Sequence, residues 1–425
     1  MRDLFIAAVV FGLIPMVLRQ PRVGVYLWCW ISYMNPHRLA YGFALNFPWA
    51  YTIALATFTG MFFSKEPRRI LWTRETILIV VLLIWMLITS YFAFFPDLAW
   101  TGWVKAFKIQ LMTFVTIMVI TNRERLNGVI WVIVLSLGFY GIKGGIFTIL
   151  KGGTHRVQGP EGTFIGGNNE MALALIMTVP LIRYLHLQEK RHWLKVGLGS
   201  AMLLTAIAGI GSQSRGALLG MVAMGFFLWL KSRGKIVIGL MITIVVGAIA
   251  LIMPQEWYDR MQTTETYQQD NSALGRINAW HTAFNVAKTR ITGGGIEMFR
   301  PSVFQQYAPE PGRVHDVHSV YFEVMGEHGF IGFFIFMSIL GLTWMRGNSI
   351  IRRTKRVPEL KWATDLAAMT QVSLVGYMVS GAFLGLSYFD FYWHLVAIIV
   401  ILNHLITQQL IGLANKNTQY YSFKG

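Results

Sequence analysis

The run Thr76-Ile77-Leu78-Ile79-Val80-Val81-Leu82-Leu83-Ile84-Trp85-Met86-Leu87-Ile88-Thr89-Ser90-Tyr91-Phe92-Ala93-Phe94-Phe95 contains no charged residue. A helix rises about 1.5 Å per residue, so about 20 apolar residues match the roughly 30 Å hydrocarbon core of a bilayer. The run has no polar stripe of the kind a helix on a soluble core would show. It reads as a membrane-spanning helix. Working outward, the pattern returns at 47–63, 103–121, 128–150, 170–187, 194–212, 216–231, 235–253, 330–345, 366–387 and 391–411. Two shorter runs come first, 4–18 and 23–34, separated by Arg19-Gln20-Pro21-Arg22. They read as two thin spans or as one broken, partly re-entrant element. The expected fold is an all-α polytopic membrane protein with 12 or 13 transmembrane helices.

Composition agrees. Of 425 residues, 54% are hydrophobic and only 13% charged, about half the charged share of a soluble domain, and the mean hydropathy is +0.49. This excludes a disordered chain and a coiled coil. A single cysteine, Cys29, excludes an intramolecular disulfide and a cysteine metal cluster. The net charge of +17 sits in short loops between apolar runs, as membrane topology and anionic headgroups select, so nucleic acid is not an expected partner. Met1-Arg2-Asp3 is barely basic and no small-x-small site follows 4–18, so this run reads as a first membrane helix rather than a signal peptide.

One set of short loops holds 22 of the 37 Lys and Arg residues, from Arg19 and Arg22 to Lys416 and Lys424. By the positive-inside rule these loops are cytoplasmic. The opposite, trans side then holds 35–46, 96–102, 151–169, 213–216 and one long loop. The expected division is a helix bundle at 1–253, a trans-side loop domain at 254–329, C-terminal membrane helices at 330–411 and a cytoplasmic tail at 412–425. Within the loop, 272–290 reads as a helix, with Ser272 as its cap and Leu274, Ile277, Trp280 and Phe284 at helical spacing. Residues 263–271 are polar, 301–313 read as extended, and a second short helix starts near His318 and stops at Gly329.

Basic residues on the trans side run against the charge bias. Arg215 sits in Gly211-Ser212-Gln213-Ser214-Arg215-Gly216, between two apolar runs. It reads as a snorkelling helix-end residue or as an anion clamp at the membrane boundary. Lys105 and Lys108, one turn apart, form a basic rim with Lys143 and Lys151 that suits a lipid headgroup or a pyrophosphate. Arg276 opens the loop helix, where the macrodipole favours a bound anion, or is a solvated face residue. His318, in Asp316-Val317-His318-Ser319-Val320-Tyr321, suits a general base or a cap, and His315, His281 and His328 rival it. No recognised metal-ligand spacing, phosphate loop, dinucleotide fingerprint or nucleophile elbow occurs, and the Gly-Gly clusters read as packing and turns.

These motifs, in this order, resemble the O-antigen ligase family: a Ser-Arg-Gly turn at 214–216, an arginine starting the loop helix, then His318-Ser319-Val320-Tyr321 ahead of Glu327-His328-Gly329-Phe330-Ile331-Gly332. The stretch 162–172 is similar to the family's Gly-x-Phe and Asn-x-x-Ala element, with Gly166-Gly167 in place of a common Asn-Pro pair. The likeness spans about 70–400, and Asn35-Pro36-His37-Arg38 resembles a branch associated with exosortase systems. The resemblance implies a GT-C-like fold and a metal-independent, inverting glycosyltransferase without a cofactor. It moves a glycan from undecaprenyl pyrophosphate to a sugar hydroxyl of lipid A–core, in lipopolysaccharide biosynthesis at the periplasmic face of the bacterial inner membrane. It further implies that Arg215 and Arg276 stabilise the pyrophosphate, supported by Lys105, Lys108, Lys143, Arg156 and Asn169. His318 accepts the acceptor's proton, with Tyr321 and His315 on the acceptor side. An O-antigen polymerase or a protein O-oligosaccharyltransferase would use the same donor site. A lipid-linked glycan transporter is a further alternative, disfavoured because no repeat is visible.

Overall fold

The computed structural model describes residues 1–231, the single positions 235, 236, 239, 247 and 255, and residues 271–422. The expected span at 235–253, apart from those positions, and the polar stretch 263–270 lie outside the described residues. Every extended regular element among the described residues is helical.

The first two helices, α1 (Arg2–Arg19) and α2 (Pro21–Met34), are separate. Pro21 occupies the first position of α2, where its missing N–H costs nothing, and the chain turns at Gln20. Both pack on α3 (Trp49–Phe63). Gly60 of α3 faces the Val17 carbonyl so closely that a Cβ there would lie 2.5 Å from the oxygen, the small-residue contact that lets membrane helices approach. Next come α4 (Arg74–Tyr91), started by a reciprocal Thr73–Thr76 capping box, and α5 (Pro96–Val119), again opened by proline. Asn122 caps α6 (Arg123–Leu150), its side chain accepting from the Arg125 N–H at 2.9 Å. Against α6 lies α8 (His192–Gly211), where Gly141 meets Thr205 and Gly145 meets the Leu204 backbone. The centre of the bundle is α7 (Asn168–Gln188), in which Met171 to Met177 are all fully buried.

After α9 (Arg215–Lys231) the described chain resumes with α10 (Asn271–Thr289) and the short α11 (Pro301–Tyr307). Then follow α12 (Val320–Thr354), α13 (Lys361–Ser380) and α14 (Asp390–Ser422). Among the described residues, eight helical stretches are long and apolar enough to cross a membrane, and Trp49–Phe63 and Arg215–Leu230 are apolar but shorter. At the loop end that carries most of the lysines and arginines, Arg346 grips the buried Glu75 with two 2.6 Å bonds, and Arg125 holds Glu66 at 3.0 and 3.2 Å.

Two local expectations change. Residues 301–307 form helix α11 instead of an extended segment, because Pro301 presets the first turn and Val303 and Phe304 are buried. The helix after His318 begins at Val320 and breaks at Gly329 (φ 66°), as a left-handed stop requires, yet resumes as a membrane span without a loop. A side chain at Gly329 would put its Cβ 2.2 Å from the Ile291 carbonyl oxygen.

Candidate active site

The turn between α8 and α9 is built from its own polar side chains. Ser212 Oγ donates to the Gly209 carbonyl (2.6 Å) and accepts from the Ser214 N–H (3.2 Å). Gln213 takes the left-handed conformation (φ 57°), and Ser214 Oγ accepts from the Ala217 N–H (3.3 Å), capping α9. Arg215 is therefore the first residue of α9. The loop at 151–167 is tied to this turn: Gln213 Nε2 donates to the Gly153 carbonyl (3.0 Å), Arg156 Nε to Gln213 Oε1 (3.4 Å) and Asn168 Nδ2 to the Ser212 carbonyl (2.9 Å). On the other side, Gly216 abuts Phe383, and Ser380 Oγ donates to the Gly216 carbonyl (2.9 Å).

Helix α10 supplies the second arginine. Asn278 Nδ2 donates to the carbonyls of Glu310 (2.8 Å) and Arg313 (2.9 Å), and its Oδ1 accepts from the Glu310 N–H (3.0 Å). Trp280 Nε1 donates to the Val317 carbonyl (2.8 Å). These bonds lay the strand-like segment at 313–318 along α10. Gly275 has no side chain where the His315 ring sits, and a Cβ there would be 2.7 Å from it. His315 Nδ1 donates to the Asp316 carbonyl (2.7 Å), and its ring meets that of His318 edge-on at 5.4 Å.

His318 is held at φ 39°, a left-handed conformation unusual for a residue with a side chain and often found where a site over-determines the backbone. Its Nδ1 lies 3.6 Å from Asp316 Oδ2, close for an ion pair but beyond a hydrogen bond. Burial pushes the His318 pKa below the ordinary histidine value; Asp316 opposes this, and Arg276 and His315 add to it. The imidazole is thus neutral at neutral pH and able to take a proton. The rival histidines are placed elsewhere. His281 is exposed on α10, and His328 is fully buried between Thr89 Oγ1 (2.6 Å) and the Tyr388 hydroxyl (2.7 Å).

A cavity of about 240 Å³ joins these parts, lined by Asn169, Gln213 to Ala217, Ser272, Ala273, Arg276, Ser380, Phe383 and Leu384. The N-termini of α7 and α9 and the first described turn of α10 meet on it. Helix N-termini carry unsatisfied N–H groups and a partial positive charge. Arg215 and Arg276 line it as well, and their guanidinium chemistry would suit an anion.

Of the residues expected in the site, Asn169, Arg215 and Arg276 line the cavity, and Arg156 reaches it through Gln213. His318 and His315 lie beside Arg276. The lysines do not line it. Lys105 places its ammonium 3.7 Å over the Phe164 ring, and Lys108 and Lys143 are exposed on α5 and α6. The Tyr321 hydroxyl donates to the Met378 carbonyl (2.8 Å) and joins α12 to α13. The sequence reading missed Gln213, Ser272 and the 380–384 turn. Gln213 was in plain view within the Ser-Arg-Gly motif, whereas nothing near Phe383 in sequence marks it. Glu170 was also missed; it sits in the first turn of α7, where it feels the charges of Arg276 and Asp316.

Comparison with known families adds an independent observation: residues 200–337 match a family described as O-antigen ligase. Over those residues, under half of the chain, it is similar to the O-antigen ligase family. The O-antigen ligase match contains Arg215, Arg276, His315, His318 and Tyr321. Residues 1–190 match a second family, described as of unknown function (DUF5935), which contains Lys105, Lys108, Lys143, Arg156 and Asn169. The cavity therefore draws Asn169 from one matched region, the arginines from the other, and Ser380 to Leu384 from beyond both. A comparison with curated proteins gave no match.

Proposed function

We propose that this protein is an O-antigen ligase of GT-C-like architecture. It moves a glycan from undecaprenyl pyrophosphate to a sugar hydroxyl of lipid A–core, at the periplasmic face of the bacterial inner membrane. The observation that carries this reading is the cavity lined by Arg215 and Arg276 on which the N-termini of α7 and α9 converge. A departing diphosphate gathers negative charge as the glycosidic C–O bond breaks, and fixed cationic donors stabilise that charge where it develops. His318 takes the proton of the acceptor hydroxyl, whose oxygen forms the new bond to the anomeric carbon. The electron pair of the broken bond leaves with the diphosphate. Attack from the face opposite the leaving group inverts the anomeric centre.

Asp316 stabilises the imidazolium that forms on His318. Asn169 and the backbone around 213–217 offer further donors to the phosphate oxygens, and Arg156 steadies Gln213 behind them. Lys105, Lys108 and Lys143 contribute at longer range, by drawing anionic headgroups to this face.

The test is transfer by purified protein from undecaprenyl-pyrophosphate glycan to lipid A–core in EDTA, beside free donor repeat units and serine peptides as rival acceptors. Product on lipid A–core from the wild type, absent with His318→Ala and Arg215→Ala, is the expected result. Product only as chain extension or glycopeptide would make the protein a polymerase or a protein glycosyltransferase. The absence of transfer to any acceptor, with donor crossing the membrane in vesicles, would favour transport.

A further inference from the structure

We infer that Phe383 is the surface on which the first sugar of the donor lies, and so a specificity-determining residue of the proposed transfer. The inference rests on that proposal and adds to it the group recognised between the phosphate site and the base. Two observations place the residue. Phe383 lines the same cavity as Arg215 and Arg276, and it is half-buried, so part of its ring remains open. Its ring centroid is also 6.4 Å from that of Trp280, whose indole N–H donates to the Val317 carbonyl, next to His318. Phe383 thus bridges the anion cavity and the segment that carries the base.

An in-line displacement fixes what must occupy that place. The anomeric carbon is bonded to a diphosphate oxygen on one side and approached by the acceptor oxygen on the other. The sugar bearing it has to span the gap between the guanidiniums and His318, and the Phe383–Trp280 pair joins the cavity to the segment that carries His318. Trp280 is already covered on one face, stacked on Phe322 at 5.2 Å and 8°. Phe383 is the member that lines the cavity. An aromatic face is electronegative and attracts the polarised C–H groups of a pyranose ring, while Leu384 beside it offers no hydrogen bond that would compete for the sugar's hydroxyls. The 380–384 turn is held firmly enough to act as a template, because Gly216 abuts Phe383 and Ser380 bonds to the Gly216 carbonyl.

The experiment compares wild type, Phe383→Leu, Phe383→Tyr and Arg215→Ala in transfer assays, with inorganic pyrophosphate as a competitive probe of the anion cavity. Leucine keeps apolar bulk and removes the π face, and tyrosine retains it. Phe383→Leu is expected to lower kcat/KM for the lipid-linked donor about 10-fold. It should leave the pyrophosphate inhibition constant unchanged and flatten discrimination between donors that differ at one hydroxyl of the first sugar. Phe383→Tyr should behave like wild type. Unchanged donor kinetics in Phe383→Leu would overturn the inference, as would donor and pyrophosphate constants that shift together, which would mark a structural role. Failure of pyrophosphate to inhibit the wild type, or equal inhibition of Arg215→Ala, would instead overturn the anion-cavity reading and the inference with it.

Discussion

At the scale of single residues the account turns on His318, whose imidazole is kept neutral by burial and by Arg276 while Asp316 pulls the other way. A base must be unprotonated to act, so transfer should fall on the acid side as pH drops through the His318 pKa, which lies below the ordinary histidine value. Asp316 raises that pKa. Asp316→Asn should therefore move the acid limb of kcat/KM to lower pH, and Arg276→Gln should move it to higher pH; pH–rate profiles of the three proteins check both signs. His318→Ala should cost about 10²- to 10⁴-fold in transfer rate, the usual worth of a positioned base. Arg215 stands out in the sequence as a cation against the charge bias, whereas Arg276 and His318 are singled out from their alternatives by the resemblance of their motifs to a known family. Phe383 was not, since its relation to Trp280 spans about a hundred residues and exists only in the folded bundle.

Among the elements, the helix starts decide where charge collects. Periodicity and caps predict helices from near 170, 216 and 272, and the first two begin at Asn168 and Arg215. Sequence does not say that these three helices line one cavity, because helix periodicity says which face is apolar and not which neighbour covers it. The same limit explains α11: proline and glycine around 301–313 read as extended, whereas burial of Val303 and Phe304 closes a short helix. Gly329 shows the opposite case. Its role as a helix stop was readable, and the structure adds the reason no other residue fits, namely the Ile291 carbonyl against its open side. Gly329→Ala should cost about 1–3 kcal/mol in strain alone and more from the clash. The expected sign is a lowered thermal midpoint of the detergent-purified protein, together with lost transfer, since the segment ahead of the break holds His318 in place.

For the molecule as a whole, apolar length and charge bias fixed the class, and the polar clamps at the basic loop end remained hidden until folding brought them together. Arg346 and Glu75 are 271 positions apart, yet form two 2.6 Å bonds around a carboxylate that is 1% exposed. Removing one partner strands a buried charge, at a cost of about 3–5 kcal/mol. Arg346→Met should sharply lower the thermal midpoint, and the double variant Arg346→Met with Glu75→Gln should recover part of the loss. Transfer per folded molecule should change little in the double variant, because this pair sits at the far end of the bundle from the cavity.

The central claim is a division of labour across one site, in which the cavity binds the diphosphate and His318 activates the acceptor. The most direct measurement is donor affinity beside single-turnover transfer, using purified protein and labelled undecaprenyl-pyrophosphate glycan. His318→Ala should bind donor as tightly as wild type and fail to transfer it, and Arg215→Ala should lose donor affinity. A His318→Ala protein that transfers at the wild-type rate, or an Arg215→Ala protein that binds donor undiminished, would contradict the account.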